Sequence, residues 1–427
     1  MGWGQTGNAG GIAGRSTYAL TANNTKYQFY QNGAGGGSTG SFNRQQGLYA
    51  PLVDPDLKWE TNEQLNFGLD LGFLNNELTI TLDYFTRKTK DLLIDRQIRP
   101  SAGNSSIYTN FGQINNYGFE FSVNYNKRLN KDWTLNVAFN GSTLKNEIKK
   151  MGVDYPSTCG GSNSTYSAED SMDGSNVGAV NGTGFLWDNH SICREGEAVG
   201  SYYGYKVAGI ITNDEMLAKA KAQGQDKAQM GDFLFVDTDG NGTLNDSDRQ
   251  ILGNGLPSFN YGLNVSATYK NWDFSIYTYG VFGMKILSYS KMRYSIMNPS
   301  DDSWTPALLE ESYNNMWSPT NPNASLARLT RLDDNKNARI SDAWIENGDF
   351  FKISNLQIGY TLPRDLVKKV LLQNARVYFA IQNLATISGY AKYGDPEIGQ
   401  GSVIYTGLDT GRYATPRTFQ FGVNVTF

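Results

Sequence analysis

The feature that most constrains this chain is a hydrophobic period of two. Leu65, Phe67, Leu69, Leu71 and Phe73 alternate with Asn66, Gly68, Asp70 and Gly72. An extended strand sends successive side chains to opposite faces, so this pattern predicts a strand with one apolar face. After Asn75 and Asn76 the period resumes at Leu78, Ile80, Leu82 and Tyr84. Two such runs across a short Asn turn predict a β-hairpin. The pattern returns in Tyr117, Phe119, Phe121, Val123 and Tyr125, followed by a polar turn at 127–132 and then Trp133, Leu135, Val137 and Phe139. It returns again in Phe259, Tyr261, Leu263, Val265, Ala267 and Tyr269, with Lys270 and Asn271 leading into Trp272, Phe274 and Ile276. Further runs are Leu356, Ile358, Tyr360 and Leu362, then Val377, Phe379 and Ile381, and finally Phe419, Phe421, Val423, Val425 and Phe427.

Alternation alone fits both a soluble sandwich and a membrane barrel. Mean hydropathy, at -0.47, does not separate them, because only every second residue of a barrel strand meets lipid. No apolar run reaches the roughly 18 residues of a spanning helix. Three features favour the barrel. The runs approach about ten residues, enough to cross a bilayer at a tilt. Phe73, Tyr84, Tyr125, Trp133, Tyr269 and Trp272 are predicted at strand ends, where interfacial aromatic girdles belong. Short turns (74–77, 127–132, 270–271) alternate with very long connections (88–111, 145–255, 284–349), the asymmetry of outer-membrane barrels. The terminal strand is predicted at 417–427, and Phe427 is the type of terminal aromatic read as an assembly signal in such proteins. The predicted class is therefore an all-β, antiparallel transmembrane β-barrel with long extracellular loops. About ten strands are predicted, a little under half of the 22 used by plugged transporters.

Charge gives no case for nucleic acid, since Lys and Arg number 37 against 41 Asp and Glu. Enzyme chemistry finds no footing. His190 is the sole histidine and is expected to be a solvated loop residue. The match Gly36-Gly-Ser-Thr-Gly40 to Gly-x-Ser-x-Gly falls in the glycine-rich stretch 33–40, read as a flexible loop and not as a strand-to-helix elbow.

The sharpest local motif is 237–248. Asp237, Asp239 and Asn241 place oxygen ligands at positions 1, 3 and 5 of an EF-hand-type loop, Gly242 allows the turn, Thr243 offers its carbonyl, and Asp248 closes the loop. A structural calcium ion is expected there, pinning a long loop, although Asp248 is shorter than the usual Glu. Cys159 and Cys193, the only cysteines, fall in one loop and are expected to form a disulfide in an oxidising compartment. Among loop aromatics, Trp187, Trp304 and Trp317 are candidates for contact with substrate or a lid protein, with loop packing as the alternative. A helix is expected over 214–230, capped by Asn213, and a short one over 364–371.

Several stretches, in order, resemble the SusC/RagA-type family of TonB-dependent outer-membrane transporters. They include Trp3-Gly-Gln-Thr-Gly-Asn8, Leu57-Lys-Trp-Glu-Thr61, Asn116-Tyr-Gly-Phe-Glu120, Gly200-Ser-Tyr-Tyr-Gly-Tyr205, Asn347-Gly-Asp-Phe-Phe351, Gly394-Asp-Pro-Glu397 and Asp409-Thr-Gly-Arg-Tyr413. The resemblance implies import of oligosaccharides or peptides across the outer membrane of a Gram-negative bacterium. It also implies energy from a TonB complex and a SusD-like surface lipoprotein as lid. No plug, TonB box or signal peptide is recognisable, so residues 1–427 are expected to be the C-terminal part of a longer receptor. Two rival readings are a non-energised, self-associating pore or surface-binding barrel, and a soluble calcium-stabilised β-sandwich.

Overall fold

The computed structural model describes residues 1–8, 26–29, 43–46, 52–54, 56–97, 106–110, 112–150, 157–158, 190–296, 308–330, 333–398 and 406–427. Ten strands follow one another in a single sheet: β1 (Gly2–Asn8), β2 (Glu60–Phe73), β3 (Leu78–Lys90), β4 (Gln113–Arg128), β5 (Trp133–Thr143), β6 (Phe259–Tyr269), β7 (Trp272–Phe282), β8 (Phe350–Thr361), β9 (Asn374–Ser388) and β10 (Thr418–Thr426). Each pairs antiparallel with the next. This single ten-strand meander, the wall, is not a two-sheet sandwich. The strand Lys145–Lys150 adds to the upper part of β4.

Register explains why the sequence alternates as it does. Leu69 lies opposite Leu82, Leu82 opposite Phe121, Val123 opposite Phe139, Val137 opposite Val265, Val265 opposite Ile276, Ile276 opposite Leu356, and Leu356 opposite Ile381. One apolar band thus crosses β2 to β9 and continues through Phe419 and Phe421 of β10. Phe67, Leu69, Phe119, Phe274, Ile358, Val377 and Val423 on this face are all exposed. A slip of one residue in any pair would move its apolar set to the polar face.

Connections alternate without exception between a short side (74–77, 129–132, 270–271, 362–373) and a long side (9–59, 91–112, 144–258, 283–349, 389–417). The short turns use unusual backbone: Leu74, Asn75, Asn76 and Lys270 all have positive φ. At this end Trp133 and Tyr269 lie with ring centroids 4.5 Å apart, and Trp272 and Tyr360 at 4.7 Å. A second aromatic level comprises Phe121, Phe259, Tyr261 and Phe282. From Trp272 to Phe282 is roughly 33 Å of strand, or about 25 Å of height at the ~40° tilt of such barrels, the thickness of their apolar band. Tyr84 corrects the reading above. It sits inside β3 rather than at its end, against Phe119 at 5.1 Å, because β3 continues well beyond the bilayer band to Lys90.

The long connections fold together into a second body, the cap, which holds most of the buried residues. Tyr202, Phe233, Phe235, Leu287, Trp344 and Leu408 form its core, drawn from three different connections. Small sheets frame it. Val207–Ile210 pairs with Phe233–Phe235, and Lys285–Ser288 lies between Ile345–Asn347 and the parallel Leu408–Asp409. A buried polar chain runs beside the strand Phe233–Phe235. Gln223 donates to Gln225, Gln225 to Asn335, Asn335 to Asn337, and Asn337 to Asp232, which also pairs with Arg328 at 2.8 Å. These side chains also bond the main chain of Phe233 and Phe235. Satisfied in this way, the network ties 223–235 to 328–337 in one arrangement.

The cap helix α1 spans Asp214–Ala222, with Asn213 accepting from the Met216 amide at 2.9 Å. It is shorter than the 214–230 expected. Gly224, at φ 91°, reverses the chain, and the amides of Gly224 and Gln225 bond back to Lys221 and Ala220, a Schellman ending. The short helix expected over 364–371 is a turn of α-helix, Arg364–Val367, continued by the 3-10 segment Lys368–Val370. The terminal strand ends at Thr426, and Phe427 follows it, exposed.

Candidate functional site

Where the inner face of the wall meets the cap there is a cavity of about 890 Å³. Its floor comes from β3 to β7: Asp83, Glu120, Asn140, Asn260, Tyr277 and Tyr279. These are the polar partners of the band residues, and alternation is what delivers them inward together. Asp83 and Glu120 lie directly opposite each other across β3 and β4. The roof comes from the last long connection through Pro396, Glu397 and Arg412.

A bulge positions the back of this cavity. Ser354 has no partner where Tyr277 and Thr278 pair with Asn355 and Ile353, so the facing of β8 reverses above it. Lys352, which pairs with Tyr279, therefore points inward and is buried. It forms an ion pair with Glu397, whose other oxygen accepts from the Tyr279 hydroxyl. Arg412 donates to the Glu397 carbonyl. Asp395 accepts from the Thr415 amide and hydroxyl, bonds that hold its carboxyl below the usual range against the opposing effect of burial. Asp409 accepts from Tyr390 and from the amides of Gly411 and Arg412. The stretches 394–397 and 409–413 thus fasten the last connection over the wall.

In the loop 237–248, the carboxylates of Asp237, Asp239 and Asp248 converge, with one oxygen of each within 4.8 Å of the others. The loop is shaped by its own side chains. Asp237 accepts from the amides of Gly240 and Gly242, both at 2.8 Å, which holds its carboxyl below the usual range. Asn241 accepts from Thr243, and the Thr243 carbonyl from the Asn245 side chain. Asp248 is fully buried and accepts from the amides of Thr238 and Asn245. Positive φ at Gly240 and Gly242 makes the turns possible. The Leu244 amide bonds Gln223, and Asp246 accepts from Tyr205 of the cap core at 3.0 Å.

Cys193 is buried and disulfide-bonded, while Cys159 lies outside the described residues. Trp187 and Trp304 also lie outside them. Trp317 is half-buried and packs under Gly231, where an added Cβ would sit 2.2 Å from the ring. Tyr202 and Trp344 are core residues. His190 corrects the expectation of a solvated side chain. It is buried, its ring edge-on to Tyr289 at 6.3 Å. Burial, with the nearby Arg249 charge, pushes its pKa down to about 4. Sequence reasoning also missed Lys352 and Glu397 as a pair, because the bulge that joins them leaves no compositional signal.

Comparison with known proteins agrees with this geometry. Residues 2–384 match the family model described as TonB dependent receptor-like, beta-barrel. The chain is 34% identical over 383 residues to TonB-dependent receptor P3 of Formosa agariphila, covering 88% of this chain and 35% of that protein. It is 30% identical to TonB-dependent receptor SusC of Bacteroides thetaiotaomicron, covering 87% and 32%. It therefore spans about a third of the length of the curated relatives it matches. Its whole length superposes on 39% of a chain of the RagAB peptide importer in the open-open state, with a TM-score of 0.69 at 21% identity, a likeness of fold. No helix among the described residues is long and apolar enough to cross a membrane. The relatives are outer-membrane receptors and transporters, not enzymes. This chain belongs to the TonB-dependent receptor β-barrel family and resembles its SusC/RagA-type members.

Proposed function

We propose that this chain is the C-terminal barrel portion of an outer-membrane importer for oligosaccharides or peptides. The observation that carries the proposal is the cavity of tyrosines, amides and carboxylates beneath the cap. Rings offer a face to sugar or peptide groups, and amides and carboxylates offer hydrogen bonds. The RagAB peptide importer, as named, supports the peptide class, and the oligosaccharide class rests on the resemblance to the SusC-type family. In this reading energy comes from a TonB complex acting on a plug that the full-length protein supplies, and a SusD-like lipoprotein closes over the cap. Uptake of labelled oligosaccharides and of labelled peptides by cells carrying the full-length protein tests it. Tyr277→Ala is expected to lower uptake of one class about tenfold, the equivalent of about 1.4 kcal/mol of lost contact. Unchanged uptake of both classes removes the cavity from the pathway. A discrete homodimer with stable open pores in detergent would instead favour a self-associating pore.

Calcium at Asp237, Asp239, Asn241, Thr243 and Asp248, and a Cys159–Cys193 bridge, are proposed as structural fasteners of the cap. The chemistry of the loop fits a hard cation, since its ligand positions are all oxygen. Calorimetric titration should give one binding event that Asp239→Ala abolishes. Equal binding by parent and variant would remove the loop from the proposal.

A further inference from the structure

The short-turn rim carries a combination that transport does not account for. Each of three turns presents exposed leucine: Leu74 in the first, Leu129 in the second, and Leu366 with Leu371 in the last. Leu371 is 90% exposed and held at φ 58° at the end of its helical turn. The second and last of these turns are also basic. Lys131, Arg364, Lys368 and Lys369 are exposed, and none has a carboxylate partner among the described residues. The acidic groups there are few. Glu77 is taken by Lys127 at 2.9 Å and Asp132 is shared with Lys270 at 4.0 Å, which leaves Asp365.

Adjacent turns are two strands apart, about 10 Å, so Lys131 and the basic group of the last turn stand about 20 Å apart along the rim, as two separate basic points. The main chain fixes that spacing. Glu77 accepts from Asn126, Asp132 from Lys270, and Asn271 from Thr361, each across neighbouring hairpins. Directly above lies the aromatic level of Trp133, Tyr269, Trp272 and Tyr360. Apolar side chains beside unpaired basic ones, continuous with an interfacial aromatic row, are the composition of a surface that sits in a lipid headgroup layer.

We infer that this rim is a docking surface for anionic phospholipid headgroups of the adjoining leaflet. The leucines reach the acyl boundary and Lys131, Arg364, Lys368 and Lys369 pair with the phosphates. A basic rim of this kind would bias the lipids surrounding the barrel without touching the cavity or the cap.

The test uses the full-length protein in mixed micelles containing equal phosphatidylglycerol and phosphatidylethanolamine, with retained lipids counted by native mass spectrometry. Parent protein is expected to retain phosphatidylglycerol preferentially. A variant combining Lys131→Gln, Arg364→Gln, Lys368→Gln and Lys369→Gln is expected to lose that preference by about tenfold or more. Heat-modifiable migration confines the comparison to folded protein. Leu129→Ser with Leu371→Ser should lower retention of both lipids while leaving their ratio intact. Equal preference in parent and charge-neutral variant overturns the inference. Displacement of bound lipid by water-soluble glycerophosphate at equal concentration overturns it too, because it would mean a site for a free phosphate and not for a bilayer.

Discussion

Ile276 and Trp344 are both large apolar residues, yet they are stabilised by different solvents. Ile276 lies midway along β7 between Val265 and Leu356, in the band that faces lipid. Trp344 lies in the cap, 1% exposed, with its indole nitrogen donating to the Arg339 carbonyl at 3.1 Å. The wall turns its apolar residues outward and holds together by backbone ladders between neighbouring strands. The cap turns them inward and holds together as a water-soluble protein does, by a packed core. The two regions should therefore fail differently.

The largest expected effect is in the cap. Trp344→Ala removes a fully buried ring and is expected to cost about 3–5 kcal/mol of cap stability. Limited proteolysis should cleave the long connections while heat-modifiable migration of the wall persists. Joint loss of both would mean the two bodies are one cooperative unit. Next comes the wall. Ile276→Arg puts a charge near mid-bilayer and is expected to cost about 2–4 kcal/mol in barrel stability, measured by urea unfolding in lipid. Asn264→Arg, an exposed position whose cross-strand partner Tyr277 lines the cavity, should change stability little. Equal costs at the two positions would break the assignment of faces. The smallest effect is set by pH. His190 has its pKa lowered from 6.5 to about 4 in the folded cap. The unfolded state therefore binds a proton first as pH falls below about 6.5, and the folded state follows only near 4. Cap stability should decline across that window by up to about 3 kcal/mol and be level above it. Cap melting measured against pH checks this, with His190→Gln expected to flatten the profile.

What was legible in the sequence follows the same division. Wall strands have one repeating environment, so a simple period identified β2 to β10 and the turn at Lys270 and Asn271. The cap has no period. Its core draws Tyr202, Leu287 and Leu408 from connections far apart in the chain, and no local pattern announces that they meet. Hence long loops were expected where a folded body stands, and His190 was expected in solvent where it is enclosed. The cap at Asn213 predicts where the helix over 214–230 begins, and Gly224 ends it early. The acidic loop was readable because its ligand spacing is local, and Asp237, Asp239 and Asp248 do come together. Glu397 and Lys352 meet only through the bulge at Ser354, a register event without a residue signature.

A wall that crosses the outer membrane should carry the cap outside and the short turns inside. Thr320→Cys places a thiol on the exposed cap surface, and Lys131→Cys places one on a short turn. Cells producing either variant of the full-length protein can be treated with a membrane-impermeant maleimide. Thr320→Cys should label on intact cells, and Lys131→Cys only after the outer membrane is permeabilised. Labelling of both on intact cells, or the reverse order, would contradict the orientation and the function built on it.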